Sequence, residues 1–202
     1  MVVDPLPFPH LVVDDWFDRD LLDAVAAEID AVPPDSPRWK RYSNGREVKF
    51  EGGPVLWGDA ARSYFAALAG RTRDLEDLFG IPELSMETIG GGFHLIPPGG
   101  LLAMHADFNR SPASRLFRRL NVLTYLNADW IDPGGHLILG GDMSTADITP
   151  EMGRTAAFAT SSTSWHGHPV PARRWRKSIA AYFFSPHPPA DYRGDQSTVW
   201  QG

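Results

Sequence analysis

The stretch from Ile81 onward constrains the fold most. Short apolar or alternating runs follow one another there, separated by Gly and Pro: "FHLI", "LLAMHADF", "RLNVLTYLN", "HLILG", "TAAFA" and "SIAAYFF". Strands this short, at turn-bounded intervals, predict a β-sandwich or barrel. The 19 Gly and 18 Pro are spread along the chain, which suits many turns between strands more than one disordered segment. A β-core over about residues 84–185 is therefore expected, within a single domain of 202 residues.

The part before it, about 1–83, reads as helical. "DRDLLDAVAAEIDA" (18–31) sets Leu21, Leu22, Val25 and Ile29 at helical spacing behind a candidate cap, Asp18, and must end before Pro33 and Pro34. Residues 59–69 and 72–79 predict two more helices, broken near Gly70. Their buried faces are Tyr64 and Leu68, then Leu75, Leu78 and Phe79. Between them, "RWKRYSNGREVKF" carries a turn signal at Asn44–Gly45 flanked by short possible strands. Residues 186–202 read as a C-terminal tail.

Composition removes several classes of function. With no Cys there are no disulfides, thiolate sites or iron–sulfur clusters, so any metal must sit on His, Asp or Glu. A net charge of −6 argues against a nucleic-acid or anionic-membrane partner. The N-terminus places acids and prolines where a signal peptide would be basic and then apolar, and no apolar run approaches a membrane span. The expectation is a cytoplasmic enzyme or binding protein. "GGG" at 90–92 looks like a phosphate loop, but no Lys-Ser/Thr pair follows it.

One triplet carries chemistry. In an extended strand, side chains at i and i+2 share a face, so "AMHADF" would aim His105 and Asp107 together into a barrel interior. A third ligand is available in "SSTSWHGHPV", at His166 or His168. Two His and one carboxylate on one face of an octahedral Fe(II) leave three positions open for a bidentate cosubstrate and oxygen.

The ordered set of motifs resembles the Fe(II)/2-oxoglutarate-dependent oxygenases, in their prolyl-4-hydroxylase-like branch. The matching stretches are "HAD" (105–107), "RRLNVLTYLNADW" (118–130), "GGHLIL" (134–139), "GRTAAF" (153–158), "HGHPV" (166–170) and "RKSIAAYFF" (176–184). The resemblance implies an α+β fold: a double-stranded β-helix, or cupin-like jelly roll, with the N-terminal helices packed on it. It implies His105, Asp107 and His166 as the iron triad, since only His166 puts Arg176 at the family's usual distance. Arg176 then matches the anchor for the distal carboxylate of 2-oxoglutarate, which a guanidinium can bind through two parallel hydrogen bonds. Ser178, on the same strand face, can add a hydroxyl, and Tyr125 matches a tyrosine that donates to the same carboxylate. Asn121 and Leu123 share the face of Tyr125 and are expected to line the cosubstrate pocket.

Fe(II), 2-oxoglutarate and O2 are implied as cofactor and cosubstrates, with ascorbate as a stimulant. Because Asp107 is present where related halogenases lack the carboxylate, hydroxylation is the first expectation, with succinate and CO2 released. The substrate is expected to be a small molecule, an amino acid or natural-product intermediate, and anionic, because four Arg fall within residues 110–119 of an acidic chain. Arg110 and Arg115 read as a solvated loop. Of Arg118 and Arg119, alternation favours Arg119 as the inward one, because it shares a face with Asn121 and Tyr125, and a bulge would reverse the choice. Asn109, His94 and His168 are further candidate pocket residues. A peptidyl-prolyl hydroxylase is the enzymatic alternative. A cupin-like ligand-binding protein is the non-enzymatic one, and it gives no reason for the spacing of Arg176 and Ser178.

Overall fold

The computed structural model describes residues 1–140 and 144–201, with Thr88 and Ile89 described by backbone alone. The three expected helices form: α1 (Arg19–Asp30), α2 (Asp59–Ala69) and α3 (Thr72–Phe79). Asp18 caps α1, its Oδ1 accepting from the Asp20 and Leu21 amides at 3.0 and 3.2 Å, and Leu22, Val25, Ala26 and Ile29 form the buried face. Helix α2 begins after Gly58, which has no side chain to cap with. Glu28 of α1 does the capping instead, accepting from the amides of Gly58, Ala60 and Ala61 at 2.8–3.2 Å. A carboxylate at that helix N-terminus also answers its partial positive charge, and a Cβ on Gly58 would run into it.

Among the described residues, twelve strands make two antiparallel sheets: β1 (His10–Val13), β2 (Lys40–Ser43), β3 (Val48–Gly52), β4 (Ser85–Ile96), β5 (Leu102–Ala106), β6 (Phe117–Tyr125), β7 (Leu137–Gly140), β8 (Thr145–Ile148), β9 (Thr155–Ala159), β10 (Trp165–His168), β11 (Arg176–Ser185) and β12 (Val199–Trp200). The major sheet runs β1-β9-β6-β11-β4-β3-β2 and the minor sheet β12-β5-β10-β7-β8. This is the expected jelly roll with few helices. The helical segment also supplies β1, β2 and β3 to the major sheet, and the tail supplies β12 to the minor one. None of the described helices is long and apolar enough to cross a membrane.

Period-two alternation sorts the major sheet into two faces. Leu120 and Val122 of β6, with Ile179, Ala181 and Phe183 of β11, join the helix faces in one core. Tyr125, Phe158 and Ala156 turn the other way and pack against Leu137, Leu139 and Ile148 of the minor sheet. That second face is the inside of the jelly roll. The glycine run at 90–92 lies within β4, where Gly92 has φ +107° and approaches Gly52 so closely that any Cβ would strike its carbonyl.

One irregularity redirects a charge. Leu120 pairs with Phe183, yet Arg118 pairs with Phe184, so Arg119 is an extra residue, a β-bulge. The bulge turns Arg118 to the inside, where it is 3% exposed.

Candidate active site

His105 of β5 and His166 of β10 are direct cross-strand partners, and Asp107 follows one residue beyond the end of β5. The imidazole rings stand 4.3 Å apart between centroids. His105 Nε2 lies 3.7 Å from Asp107 Oδ1, and His166 Nε2 lies 3.3 Å from Oδ2. Among the described residues, this is the one group of three side chains with ligand atoms mutually within 4.8 Å. Both Nδ1 atoms face backbone carbonyls, of Ala103 at 3.0 Å and Ser164 at 2.9 Å. A carbonyl can only accept, so each Nδ1 carries the proton and each Nε2 presents a lone pair to the shared centre. Burial, then the neighbouring His166, pushes the His105 pKa down to about 4, keeping the ring neutral for ligation.

Asp107 is held by a second layer of donors. Arg118 Nη2 reaches its Oδ2 at 2.9 Å, Asn121 Nδ2 donates to the same oxygen at 2.9 Å, and Arg118 Nε donates to Asn121 Oδ1 at 2.9 Å. Burial works to raise the Asp107 carboxyl, but Arg118 together with His166 and His105 outweighs it and holds the group well below the usual carboxylate range. The guanidinium lies over the Tyr182 ring at 3.6 Å and the Phe108 ring at 4.9 Å.

Deeper inside, the strands leave polar atoms without partners. Arg176 is 2% exposed, and its Nε donates to the Gly135 carbonyl at 2.7 Å. Its Nη2 has no protein partner, and neither do Tyr125 Oη, Ser178 Oγ and His168 Nδ1. Ser178 pairs across the sheet with Tyr125, and the Arg176 guanidinium lies 5.0 Å from the Tyr125 ring. Buried donors are almost always satisfied, and this cluster can take an acceptor that comes from outside. Burial draws the pKa of Arg176 down and that of Tyr125 up. Leu123 packs into the inner apolar face beside them.

The predicted residues thus converge, with three changes. Arg118, not Arg119, faces the site, and its head is taken by Asp107. Arg119 points out, donating from Nη1 to the carbonyls of His187 and Pro188. Asn109 lies outside the pocket: its side chain clasps the tail, donating to Gly194 O at 2.8 Å and accepting from Gln196 N at 2.9 Å. Asn121 faces inward as expected, but it serves the carboxylate ligand rather than the deep cluster. His94 pairs with Ser178 across β4 and β11, and its Nε2 lies 3.2 Å from the Gly90 carbonyl. Burial, with Lys49 nearby, pushes its pKa down to about 3. Arg110 and Arg115 both reach Asp195 of the tail, at 3.5 and 3.1 Å, rather than standing free in solvent.

Above the triad opens a cleft of about 290 Å³, lined among others by Lys40, Tyr42, Lys49, Tyr182 and Trp200. None of these five was singled out from sequence. Tyr182 was findable, since it continues the period-two series 176, 178, 180 on β11. Trp200 sits on a two-residue strand, too short to carry a pattern, yet its ring lies 5.1 Å from that of His105.

Residues 91–184 match the 2OG-Fe(II) oxygenase superfamily. Among curated proteins none matches the chain. Among solved structures, a Pseudomonas putida prolyl-4-hydroxylase aligns with a TM-score of 0.67 at 20% identity, over 87% of this chain and 92% of that one. A Trichoplax adhaerens prolyl hydroxylase, in complex with a hypoxia inducible factor peptide fragment, gives 0.67 at 17% over 87% and 83%. An oxidoreductase of the 2OG-Fe(II) oxygenase family from Burkholderia pseudomallei gives 0.58 at 18% over 92% and 89%. These likenesses establish a shared fold. Residues 91–184, a little under half of the chain, match the 2OG-Fe(II) oxygenase superfamily, and the fold is prolyl-4-hydroxylase-like; together with the His105, Asp107 and His166 group they support a 2-oxoglutarate-dependent non-haem iron dioxygenase.

Proposed function

We propose that the protein hydroxylates an unactivated C–H of a small molecule bearing a carboxylate or phosphate, with His105, Asp107 and His166 holding Fe(II) and Arg176 anchoring 2-oxoglutarate. The carrying observation is the set of unpartnered buried donors at Arg176, Tyr125 and Ser178, inward of three ligand atoms that share one centre. These residues fit the cofactor set. Two imidazoles and a carboxylate suit Fe(II) and leave positions open, and the orphaned guanidinium nitrogen, phenol and hydroxyl suit a carboxylate. When bound, the iron couples oxidative decarboxylation of 2-oxoglutarate, giving succinate and CO2, to oxygen insertion into the substrate.

The chain's own residues bind and orient. Arg118 and Asn121 fix the Asp107 carboxylate, and the carbonyls of Ala103 and Ser164 fix the ring orientation of the two histidines. Trp200 and Tyr182 line the cleft beside His105 and Asp107. Support for an anionic substrate rests on Lys40 and Lys49, which line the cleft together with Glu47 and Glu51. Their ammonium groups each sit 4.8 Å from the centre of the Tyr42 ring and lie 4.0 and 3.3 Å from their glutamate partners, Glu51 and Glu47, leaving donors for a ligand. A volume near 290 Å³ is that of a small-molecule site.

A peptidyl-proline substrate is the second reading, favoured by the prolyl hydroxylases among the structural neighbours. Anaerobic titration with Fe(II) and 2-oxoglutarate should develop the weak visible charge-transfer band of the chelate. A screen for succinate formation above the uncoupled background, run with anionic small molecules and with proline peptides, then separates the two readings. No band would sink the cofactor assignment, and coupling to peptides alone would sink the small-molecule one.

A further inference from the structure

Beside the metal triad and the Arg176 cluster lies a further buried nitrogen without a partner, His168 Nδ1. His168 follows His166 by two residues on β10 and so shares its inward face. It is 3% exposed, and its Nδ1 has no partner among the described residues. It does not belong to the ligand group, which is His105, Asp107 and His166.

Its place in the weave puts it between metal and anchor. Across the strand it pairs with Leu102, three residues before His105. Just past it, the Val170 carbonyl accepts from the Gly135 amide at 2.8 Å, and the Gly135 carbonyl accepts from Arg176 Nε at 2.7 Å. The end of β10 is thus tied through one residue to the head of the anchor. Gly135 permits this contact, because its φ is +72° and a Cβ there would meet Trp130 and Ala172 at 3.0 Å and the Arg176 side chain at 3.4 Å. An imidazole nitrogen left bare at such a place is costly unless a ligand completes it.

We infer that His168 is a further cosubstrate-positioning residue, whose Nδ1–H donates to a carboxylate oxygen of bound 2-oxoglutarate. The inference rests on the proposed cosubstrate pocket and adds a donor to it from the opposite sheet. Arg176, Tyr125 and Ser178 come from β6 and β11 of the major sheet, whereas His168 comes from the minor sheet. The cosubstrate is then gripped from both walls, and its affinity reports how well the two sheets are registered.

The test compares three substitutions by anaerobic 2-oxoglutarate titration of the Fe(II)-loaded protein, with iron affinity and thermal midpoint measured alongside. His168→Leu keeps the bulk and removes the donor, and should weaken 2-oxoglutarate binding by about tenfold or more, the worth of one hydrogen bond to a charged group. His168→Asn carries an amide N–H off the same carbon as Nδ1 does, and should recover most of that loss. His168→Gln places its amide at the Nε2 position and should recover little. Iron affinity should stay within about threefold in all three, a difference well under 1 kcal/mol. Wild-type affinity in His168→Leu would overturn the inference, as would loss of iron together with 2-oxoglutarate. If His168→Leu does not fold, the Asn and Gln pair decides: equal affinities for 2-oxoglutarate refute a donor at Nδ1. Failure of the unsubstituted protein to bind 2-oxoglutarate would instead refute the pocket itself.

Discussion

The interior of the jelly roll and the mouth above it are built by different means. Inside, His105, His166, Tyr125, Arg176 and Ser178 sit on strands or at strand ends, and simple alternation aims them at one another. At the mouth, the lining comes from a hairpin sixty residues earlier in the chain, a bulge, and a two-residue strand in the tail. A regular strand converts sequence spacing directly into direction, whereas a bulge or a distant segment does not. Each region can be tested where the other gives a contrasting answer.

The largest contrast lies within three residues. His166→Ala should abolish iron binding and turnover, because the metal loses one of three protein ligands. His168→Ala, on the same face and equally buried, should keep its iron and measurable activity. Metal content after desalting and succinate release read both. Iron retained in the first and lost in the second would mean that the ligand has been misassigned. Asp107→Gly should also lose hydroxylation, and chlorination is not expected to replace it without a site for chloride.

Next comes the anchor. Removing Arg176 leaves the distal carboxylate of 2-oxoglutarate desolvated and unpaired, and truncating one partner of a buried charge pair costs about 2–5 kcal/mol. That is roughly a 30- to several-thousand-fold loss in affinity. Arg176→Ala should therefore need far more 2-oxoglutarate while binding iron nearly as before. An unchanged requirement would place the cosubstrate elsewhere.

The neighbouring arginines divide the two regions most sharply. Arg118 is buried on Asp107, and Arg119 is turned to loop carbonyls. Arg118→Leu leaves a buried carboxylate short of its charge partner and should cost about 3–5 kcal/mol in the metal-free protein. The cost should shrink once Fe(II) binds and supplies a cation. The depressed carboxyl of Asp107 stabilises the metal-free fold above the ordinary carboxylate range, and this is lost as pH falls towards the depressed value. Without Arg118, one of the groups holding it down is gone, so the carboxyl titrates higher and acid unfolding begins at a higher pH. Arg119→Ala loses donations to two loop carbonyls and should cost about 1–2 kcal/mol, without moving the onset of acid unfolding. Equal effects of the two in acid-unfolding curves would refute the bulge.

How much of this was readable follows the same division. Helix boundaries were legible because caps and prolines mark them locally, as Asp18 and Pro33 do around α1. The shared face of His105 and Asp107 was legible because an i, i+2 pair along a strand needs no tertiary information, whereas the choice of His166 and Arg176 came from the motif resemblance. The choice of Arg119 failed because a bulge inserts one residue without a sequence mark, reversing the faces of what precedes it. Asn109 failed for another reason. Its amide found the backbone of Gly194 and Gln196, more than eighty residues away, and no local pattern announces such a partner. The glutamate cap on α2 and the tail strand beside His105 were hidden in the same way.

The smallest effect tests the interior most finely. Tyr125 Oη is buried without a protein partner, beside the Arg176 head and across from Ser178. Tyr125→Phe keeps the ring and its packing and deletes one neutral donor, worth about 0.5–1.5 kcal/mol, or roughly 2- to 12-fold in 2-oxoglutarate affinity. The fold should not suffer, because the lost hydroxyl is unpaired in the free protein, and stability of the metal-free form should hold or rise. That pairing of outcomes matters more than either number. A hydroxyl that served only the fold would, when removed, lower the thermal midpoint and leave the cosubstrate titration unmoved. One that serves the ligand moves the titration alone. If Tyr125→Phe lowers stability with no change in 2-oxoglutarate affinity, the tyrosine belongs to the core and the deep pocket loses one of its donors.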